Sequence, residues 1–212
     1  MVRIVLIRHG YSTYNEKRLF SGQLDVPLNE IGERQADMTA AFVLENYPPS
    51  AIYSSDLSRA VRTVQPIADK LSLEIIKRRE LREIDVGLWH NMSYEEVEER
   101  FPETKQQIRE NPLEARYDGG ESYRELMDRM MRVLCEIHER EDGKTVAVAS
   151  HNGAIKGLLR ALVERGISHG VDAAFLPNAS VSVFDFDGKS AEFILLGYNG
   201  HLSEQESENK IV

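Results

Sequence analysis

The run Val2-Arg3-Ile4-Val5-Leu6-Ile7 is short, β-branched and apolar, and it stops at Arg8-His9-Gly10. A run of that length bounded by glycine reads as a buried central strand of an α/β sheet. Ligands of such sheets bind beyond the carboxyl ends of the strands. Arg8 and His9 therefore stand where an anion would be held. The same logic returns late in the chain. Thr145-Val146-Ala147-Val148-Ala149 is a second buried strand that ends at Ser150-His151-Asn152-Gly153 and enters a helix carrying Ile155, Leu158, Leu159 and Leu162.

The intervening sequence fits this frame. A polar stretch from Tyr11 to Pro27 precedes Asn29, the expected N-cap of a helix with Ile31, Met38, Phe42 and Val43 on its apolar side, and Pro48-Pro49 ends that helix. Ala51 to Ser54 predicts a strand, Asp56 to Leu71 a helix and Leu73 to Ile76 a third strand. Residues 80–91 read as irregular, Ser93-Tyr94-Glu95-Glu96 as a capping box, and residues 121–140 as a long helix. Asp187-Gly188 marks a hairpin between strands at 180–186 and 191–196, and the polar tail from Ser203 is expected to fray. The pattern predicts a three-layer α/β/α sandwich on a mostly parallel sheet. It is read as a single domain over residues 1–212, with residues 92–120 inserted as a small helical lid.

Composition narrows the function classes. Lys and Arg total 26 against 35 Asp and Glu, a formal charge of −9. A general nucleic-acid or anionic-membrane surface is therefore not expected, and any anion must be held locally. One cysteine, Cys135, excludes an internal disulfide and a CxxC metal site. No HExxH, acidic cluster or cysteine set suggests a metal site. No stretch reads as a signal peptide or a membrane span, which predicts a cytoplasmic protein. Asn91-Met92-Ser93 and Asn178-Ala179-Ser180 match the glycosylation pattern, which is read as incidental here.

Five elements in loops or at helix starts beside expected strand ends form one plausible site: Arg8-His9, Asn15, Arg59, Glu83 and His151. Phosphoryl transfer needs an in-line nucleophile, positive donors around the equatorial oxygens and an acid for the leaving group. A neutral imidazole can attack phosphorus. Guanidiniums offer forked donors that match phosphate oxygens better than ammonium groups do. Glu83, between Arg82 and Ile84, is the candidate acid.

Arg8-His9-Gly10-Tyr11-Ser12-Thr13-Tyr14-Asn15 resembles the signature of the histidine phosphatase superfamily, the phosphoglycerate mutase-like fold. Further motifs follow in order. Phe20-Ser21-Gly22 with Asp25-Val26-Pro27-Leu28, Ser54-Ser55-Asp56-Leu57-Ser58-Arg59-Ala60, and Leu81-Arg82-Glu83-Ile84-Asp85-Val86-Gly87-Leu88-Trp89 are similar to family blocks, as are Gly120-Glu121-Ser122 and Ser150-His151. The resemblance implies that His9 is the nucleophile, forming a phosphohistidine, and that Glu83 donates the proton. It implies that Arg8, Asn15, Arg59 and His151 bind the phosphoryl group and that Ser21 and Gly22 lie against substrate. The phosphatase branch works without metal or organic cofactor. Four positions depart from the usual pattern: Tyr11, His90 and Asn91 after the tryptophan, and Asn152 after the second histidine.

Phosphatase and mutase differ in what takes the phosphoryl group from His9. In cofactor-dependent phosphoglycerate mutases a longer lid carries adjacent arginines for a substrate carboxylate. Here Arg100, Arg109 and Arg116 are scattered and no Arg-Arg pair lies between Glu83 and Glu121. The expectation is a metal-independent phosphomonoesterase acting on a small phosphorylated metabolite. A phosphoglycerate mutase is the alternative, and a phosphate-binding regulatory protein without turnover the third reading. Oligomeric state is left open.

Overall fold

The strands alternate strictly in what they bury, and that alternation sets the layers. In the computed structural model, which describes residues 1–168 and 176–203, the first strand is β1 (Val2–Arg8), followed by α1 (Thr13–Lys17), α2 (Glu30–Asn46), β2 (Ala51–Ser54) and α3 (Ser58–Leu71). Then come β3 (Ile75–Lys77), α4 (Tyr94–Arg100), α5 (Pro102–Glu110), α6 (Tyr123–Arg140), β4 (Thr145–Ser150), α7 (Asn152–Glu164), β5 (Val181–Phe186) and β6 (Ala191–Tyr198). Ile4 and Leu6 of β1, with Val146 and Val148 of β4, pack under Leu126, Met130, Ile155 and Leu158 of α6 and α7. Val5, Ile7, Ala147 and Ala149 face the other way, onto Val43, Val64 and Ile67 of α2 and α3. Each valine, leucine, isoleucine or methionine so buried contributes roughly 1.5–3 kcal/mol relative to exposure. The result is the expected α/β/α sandwich.

The sheet has six strands in the order β3-β2-β4-β1-β5-β6. The first four are mutually parallel, and β5 and β6 join antiparallel as the predicted hairpin. Pairing of Arg8 with Ser150 brings the carboxyl ends of β1 and β4 level. Ser54 of β2 pairs with Ala149, so a third strand end arrives at the same height.

Local differences from expectation have tertiary causes. The stretch after His9 contains a helical turn, α1, closed by a capping box in which Ser12 and Asn15 exchange bonds. Helix α2 buries Gly32, Gln35, Ala36, Thr39, Ala40 and Val43, while Ile31 and Met38 lie at its margin, because small residues let α2 approach α3 closely. Helix α3 starts at Ser58, two residues late, and lacks a cap of its own. Its first amide is capped in trans, Ser58 N donating to Asp25 Oδ1 at 2.7 Å. Residues 80–91 hold a 3-10 turn at Gly87–Trp89, and another begins just before at Arg79–Leu81. Gly87 sits at φ 52°, where a Cβ would lie 2.0 Å from the Asp118 carbonyl, so only glycine fits.

Residues 92–120 carry α4 and α5, the second opening with Pro102 in its first turn. Trp89 is buried between this segment and the body, edge-on to Tyr117 at 4.7 Å and to Phe20 at 5.5 Å. Met127, Met130 and Met131 are core, as their helical spacing suggests, while Cys135 is only half-buried. His201 stacks on Phe42 at 5.1 Å and bonds Thr39 Oγ1 at 3.0 Å. His138 likewise packs edge-on to Phe186. His169 and residues 204–212 lie outside the described residues.

Candidate active site

Because β1 and β4 end level, His9 and His151 leave the sheet side by side, with ring centroids 5.0 Å apart. His9 N donates to Ser150 O at 3.0 Å and Ser55 N to Ala149 O at 2.9 Å, extending the sheet one residue past each strand. Helix α3 then returns Arg59, fully buried, to the His151 ring.

His9 Nδ1 lies 2.7 Å from the carbonyl of Gly10. A carbonyl only accepts, so Nδ1 carries the hydrogen and Nε2 keeps its lone pair. Burial, followed by the nearby Arg59 and Arg8 charges, holds this imidazole well below the ordinary histidine range. It is neutral at physiological pH. Its main-chain carbonyl is gripped by Asn178 Nδ2 at 3.1 Å and by Ala179 N at 3.1 Å.

Arg59 donates from Nε to His151 Nδ1 at 3.1 Å, from Nη1 to Leu24 O at 2.7 Å and from Nη2 to Gly22 O at 2.8 Å. One hydrogen on each Nη is left for a ligand. Since His151 Nδ1 accepts, its hydrogen is on Nε2, which donates to Ser55 Oγ at 2.9 Å. Both nitrogens of His151 are thus engaged, and burial first, then Arg59, depresses its basicity strongly. Arg8 donates through Nη1 to Leu176 O, while its Nε is buried with no partner among the described residues. An unsatisfied buried donor costs about 1–3 kcal/mol, a deficit that an anionic ligand removes. Burial lowers both guanidiniums to about 10, so each remains charged at neutral pH.

Glu83 approaches from the loop after β3. Its Oε1 accepts from Ile84 N at 2.8 Å and Ala154 N at 3.0 Å, and its Oε2 from Gly153 N at 3.0 Å. The carboxyl group therefore sits on the N-terminus of α7 with one lone pair of Oε2 free. It does not pair with Arg82, which is bidentate on Asp56 at 2.6 Å. Asn15 uses Oδ1 to accept from Ser12 and from Asn178, leaving its amide hydrogens without a partner among the described residues. Burial, then the Glu83 charge, pushes the half-buried Tyr117 hydroxyl up to about 12, so it stays a neutral donor.

The structure thus brings His9, Arg8, Arg59, His151 and Glu83 to one end of the sheet, with Asn15 joined through Asn178. Gly22 is tied in by its carbonyl on Arg59, and Ser21 precedes it in the same turn. His90 holds that turn, since its Nε2 accepts from Gln23 N at 3.2 Å. Asn152 is the first residue of α7 and has no positive φ, so nothing there demands glycine. The main chain of Tyr11 is pinned by Gln35 and Asn29. Gly22 adopts φ 43°, and a Cβ there would meet His90 Nε2 at 2.5 Å. Gly22→Ala is expected to lower stability by about 1–3 kcal/mol and to raise KM more than it lowers kcat, read by urea unfolding and steady-state kinetics.

Sequence reasoning missed Asn178, Ser55, Gln23 and Arg129. Asn178 was visible only as part of an incidental sequon, and Ser55 only as a member of the Ser54-to-Ala60 block. Nothing in the spacing points to Gln23 or Arg129, whose partners are carbonyls of residues 80–83. Among the described residues no group of three His, Cys, Asp or Glu side chains is arranged to hold a metal ion.

The model of the histidine phosphatase superfamily (branch 1) matches residues 4–199. The chain is 34% identical to Phosphoserine phosphatase 1 of Hydrogenobacter thermophilus over 208 residues, 96% of each chain. It is 37% identical to the Metal-independent phosphoserine phosphatase of Arabidopsis thaliana over 186 residues, 86% of this chain and 76% of that one. Among solved structures, Bacillus stearothermophilus YhfR superposes with a TM-score of 0.83 at 26% identity, covering 95% of this chain and 99% of that one. These likenesses support a phosphoric monoester hydrolase. A family match over nearly the whole chain, on a fold that assembles the motif residues at one sheet end, leaves a single assignment: the chain belongs to the histidine phosphatase superfamily, branch 1.

Proposed function

We propose that this chain hydrolyses small phosphate monoesters through a phosphohistidine on His9. The observation that carries the reading is the state of His9: neutral, its Nδ1 hydrogen tied to Gly10 O, its Nε2 lone pair free beside two buried guanidiniums. In the first step Nε2 attacks phosphorus, the bond to the ester oxygen breaks, and Glu83 delivers a proton from Oε2 to the departing alkoxide. In the second step water attacks the phosphohistidine, Glu83 takes its proton, and inorganic phosphate leaves with His9 restored. Arg8, Arg59 and the Asn15 amide neutralise and orient the phosphoryl oxygens. His151 fixes Arg59 and completes the cage wall, and Ser21 and Gly22 line its rim.

Residues 92–120, as part of a single domain, are read as the lid over the leaving group, and the same proposal takes a small phosphorylated metabolite as substrate in the cytoplasm. Hydrolysis is favoured over the mutase reaction by the basic side chains of that segment. Arg109 and Lys105 pair with Glu98, Arg116 with Glu125, and Arg100 lies over the Phe101 ring. Each of these side chains is already engaged within the protein. Turnover is favoured over a purely sensing role because nucleophile and acid candidates are both in place.

The test is incubation in chelator with a panel of monoesters, including phosphoserine and 3-phosphoglycerate with and without its bisphosphorylated primer. Free phosphate and isomerised product are both measured. Metal-independent phosphate release supports the proposal, whereas primer-dependent isomerisation with little free phosphate assigns the chain to the mutases. Glu83→Gln is expected to lower kcat/KM about 10²–10⁴-fold on alkyl phosphates and far less on 2,4-dinitrophenyl phosphate, whose leaving group needs no proton. Equal losses across leaving groups would remove Glu83 from the acid's role.

A further inference from the structure

Helix α6 lies behind the loop that carries Glu83, and one of its side chains is bound to that loop. Arg129 donates from Nη1 to the carbonyls of Glu80 at 2.6 Å and Arg82 at 2.7 Å, and from Nη2 to the carbonyl of Glu83 at 2.9 Å. Its remaining donors form a fork on Glu121, Nε to Oε2 at 3.0 Å and Nη2 to Oε1 at 2.6 Å. A guanidinium has five N–H donors, and every one is used. Glu121 Oε1 in turn accepts from Asp85 N at 2.9 Å, so the pair grips the loop on both sides of Glu83. Both side chains are largely buried, at 12% and 15% exposure.

We propose that Arg129, oriented by Glu121, is the positioning residue for Glu83. The inference rests on the reading of Glu83 as the proton donor. Gln23 Nε2 is the other side-chain donor to the Glu83 carbonyl, at 3.2 Å. With the main chain held from behind by Arg129 and the carboxyl group held in front by α7, Glu83 has little freedom to swing away from the ester oxygen. A lysine ammonium at this position carries three donors on a flexible stem and cannot hold three carbonyls and a bidentate carboxylate together. A shift of about 1 Å in a catalytic group costs on the order of 10²-fold in rate.

The experiment measures kcat/KM, which reports phosphoryl transfer to His9, for wild type, Arg129→Lys, Glu83→Gln and the double variant on phosphate esters of graded leaving-group pKa. Arg129→Lys is expected to lose about 30- to 100-fold on alkyl esters and less than about 5-fold on 2,4-dinitrophenyl phosphate. In the double variant the arginine substitution should add nothing to the loss caused by Glu83→Gln. A uniform loss across esters, or additive losses, means that Arg129 only supports the fold and overturns the proposal. A flat leaving-group response in Glu83→Gln itself would instead remove the reading of Glu83 on which this rests. Should Arg129→Lys fail to fold, Glu121→Gln, which breaks the fork but keeps an acceptor for Asp85 N, must show the same leaving-group selectivity in weaker form. Without it the proposal falls.

Discussion

His9→Ala is expected to turn over less than about 10⁻⁴ of the substrate that wild type does, and to take up no label from a radioactive monoester. The neutral ring cannot be replaced by a neighbour. His151 is 5.0 Å away by ring centroid, but its lone pair is committed to Arg59 and its hydrogen to Ser55. Loss of the imidazole removes one hydrogen bond, to Gly10 O, and leaves the main-chain bonds to Asn178 and Ala179 in place. The variant should therefore fold, and its far-UV and near-UV spectra should match wild type. Rapid quench of wild type should trap a phosphoenzyme that is labile in acid and stable in base, as a phosphoramidate bond is. Label persisting in His9→Ala would place the intermediate elsewhere, and steady turnover with no trapped label would favour direct attack by water.

Acidification should destabilise the free protein steeply. His9 and His151 are buried in a site already positive from Arg8 and Arg59, and both titrate well below an unfolded histidine. Above about pH 6.5, the unfolded value, both states hold these rings neutral and the two contribute no slope. Below it the unfolded chain takes up two protons that the native state refuses. The free energy of unfolding then falls by up to about 2.7 kcal/mol per pH unit, until the pH reaches the folded values. His201, half-buried and lowered to about 4, acts in the same direction. Urea midpoints between pH 7.5 and 5 measure the effect, in a window above the range where the paired carboxylates Asp56 and Asp185, both lowered by their arginines, take up protons. A stability that stays level from pH 7 to 5 would mean that the two imidazoles are not held neutral.

The fold was legible because burial is periodic. In β1, β4 and β5 the alternating faces and the bounding glycines and turns are local properties of the sequence, and they suffice to place strands within a residue or two. Capping boxes at Ser93 and Ser122 were equally local, although only the first was read. What escaped depended on partners distant in sequence. Helix α3 begins where Asp25, 33 positions earlier, supplies its cap. His201 is half-buried because Thr39, Phe42 and Tyr198 converge on it.

The candidate site divides along the same line. Arg8, His9, Asn15, Arg59, Glu83 and His151 could be named from residue type and position at strand ends, since phosphate chemistry restricts which side chains serve. Their states could not. The unprotonated Nε2 of His9 follows from the proximity of Gly10 O. The tautomer of His151 follows from Arg59 and Ser55, 92 and 96 positions away. The fixing of Glu83 follows from α7 in front and Arg129 behind. By itself the sequence determined the layers of the fold and the chemical types at the ends of its strands, because hydrophobic periodicity and side-chain chemistry are written residue by residue. Which donor meets which acceptor was decided only by the tertiary structure, because hydrogen bonds act over about 3 Å and the groups they join here lie up to 182 positions apart along the chain, as Arg3 and Asp185 do.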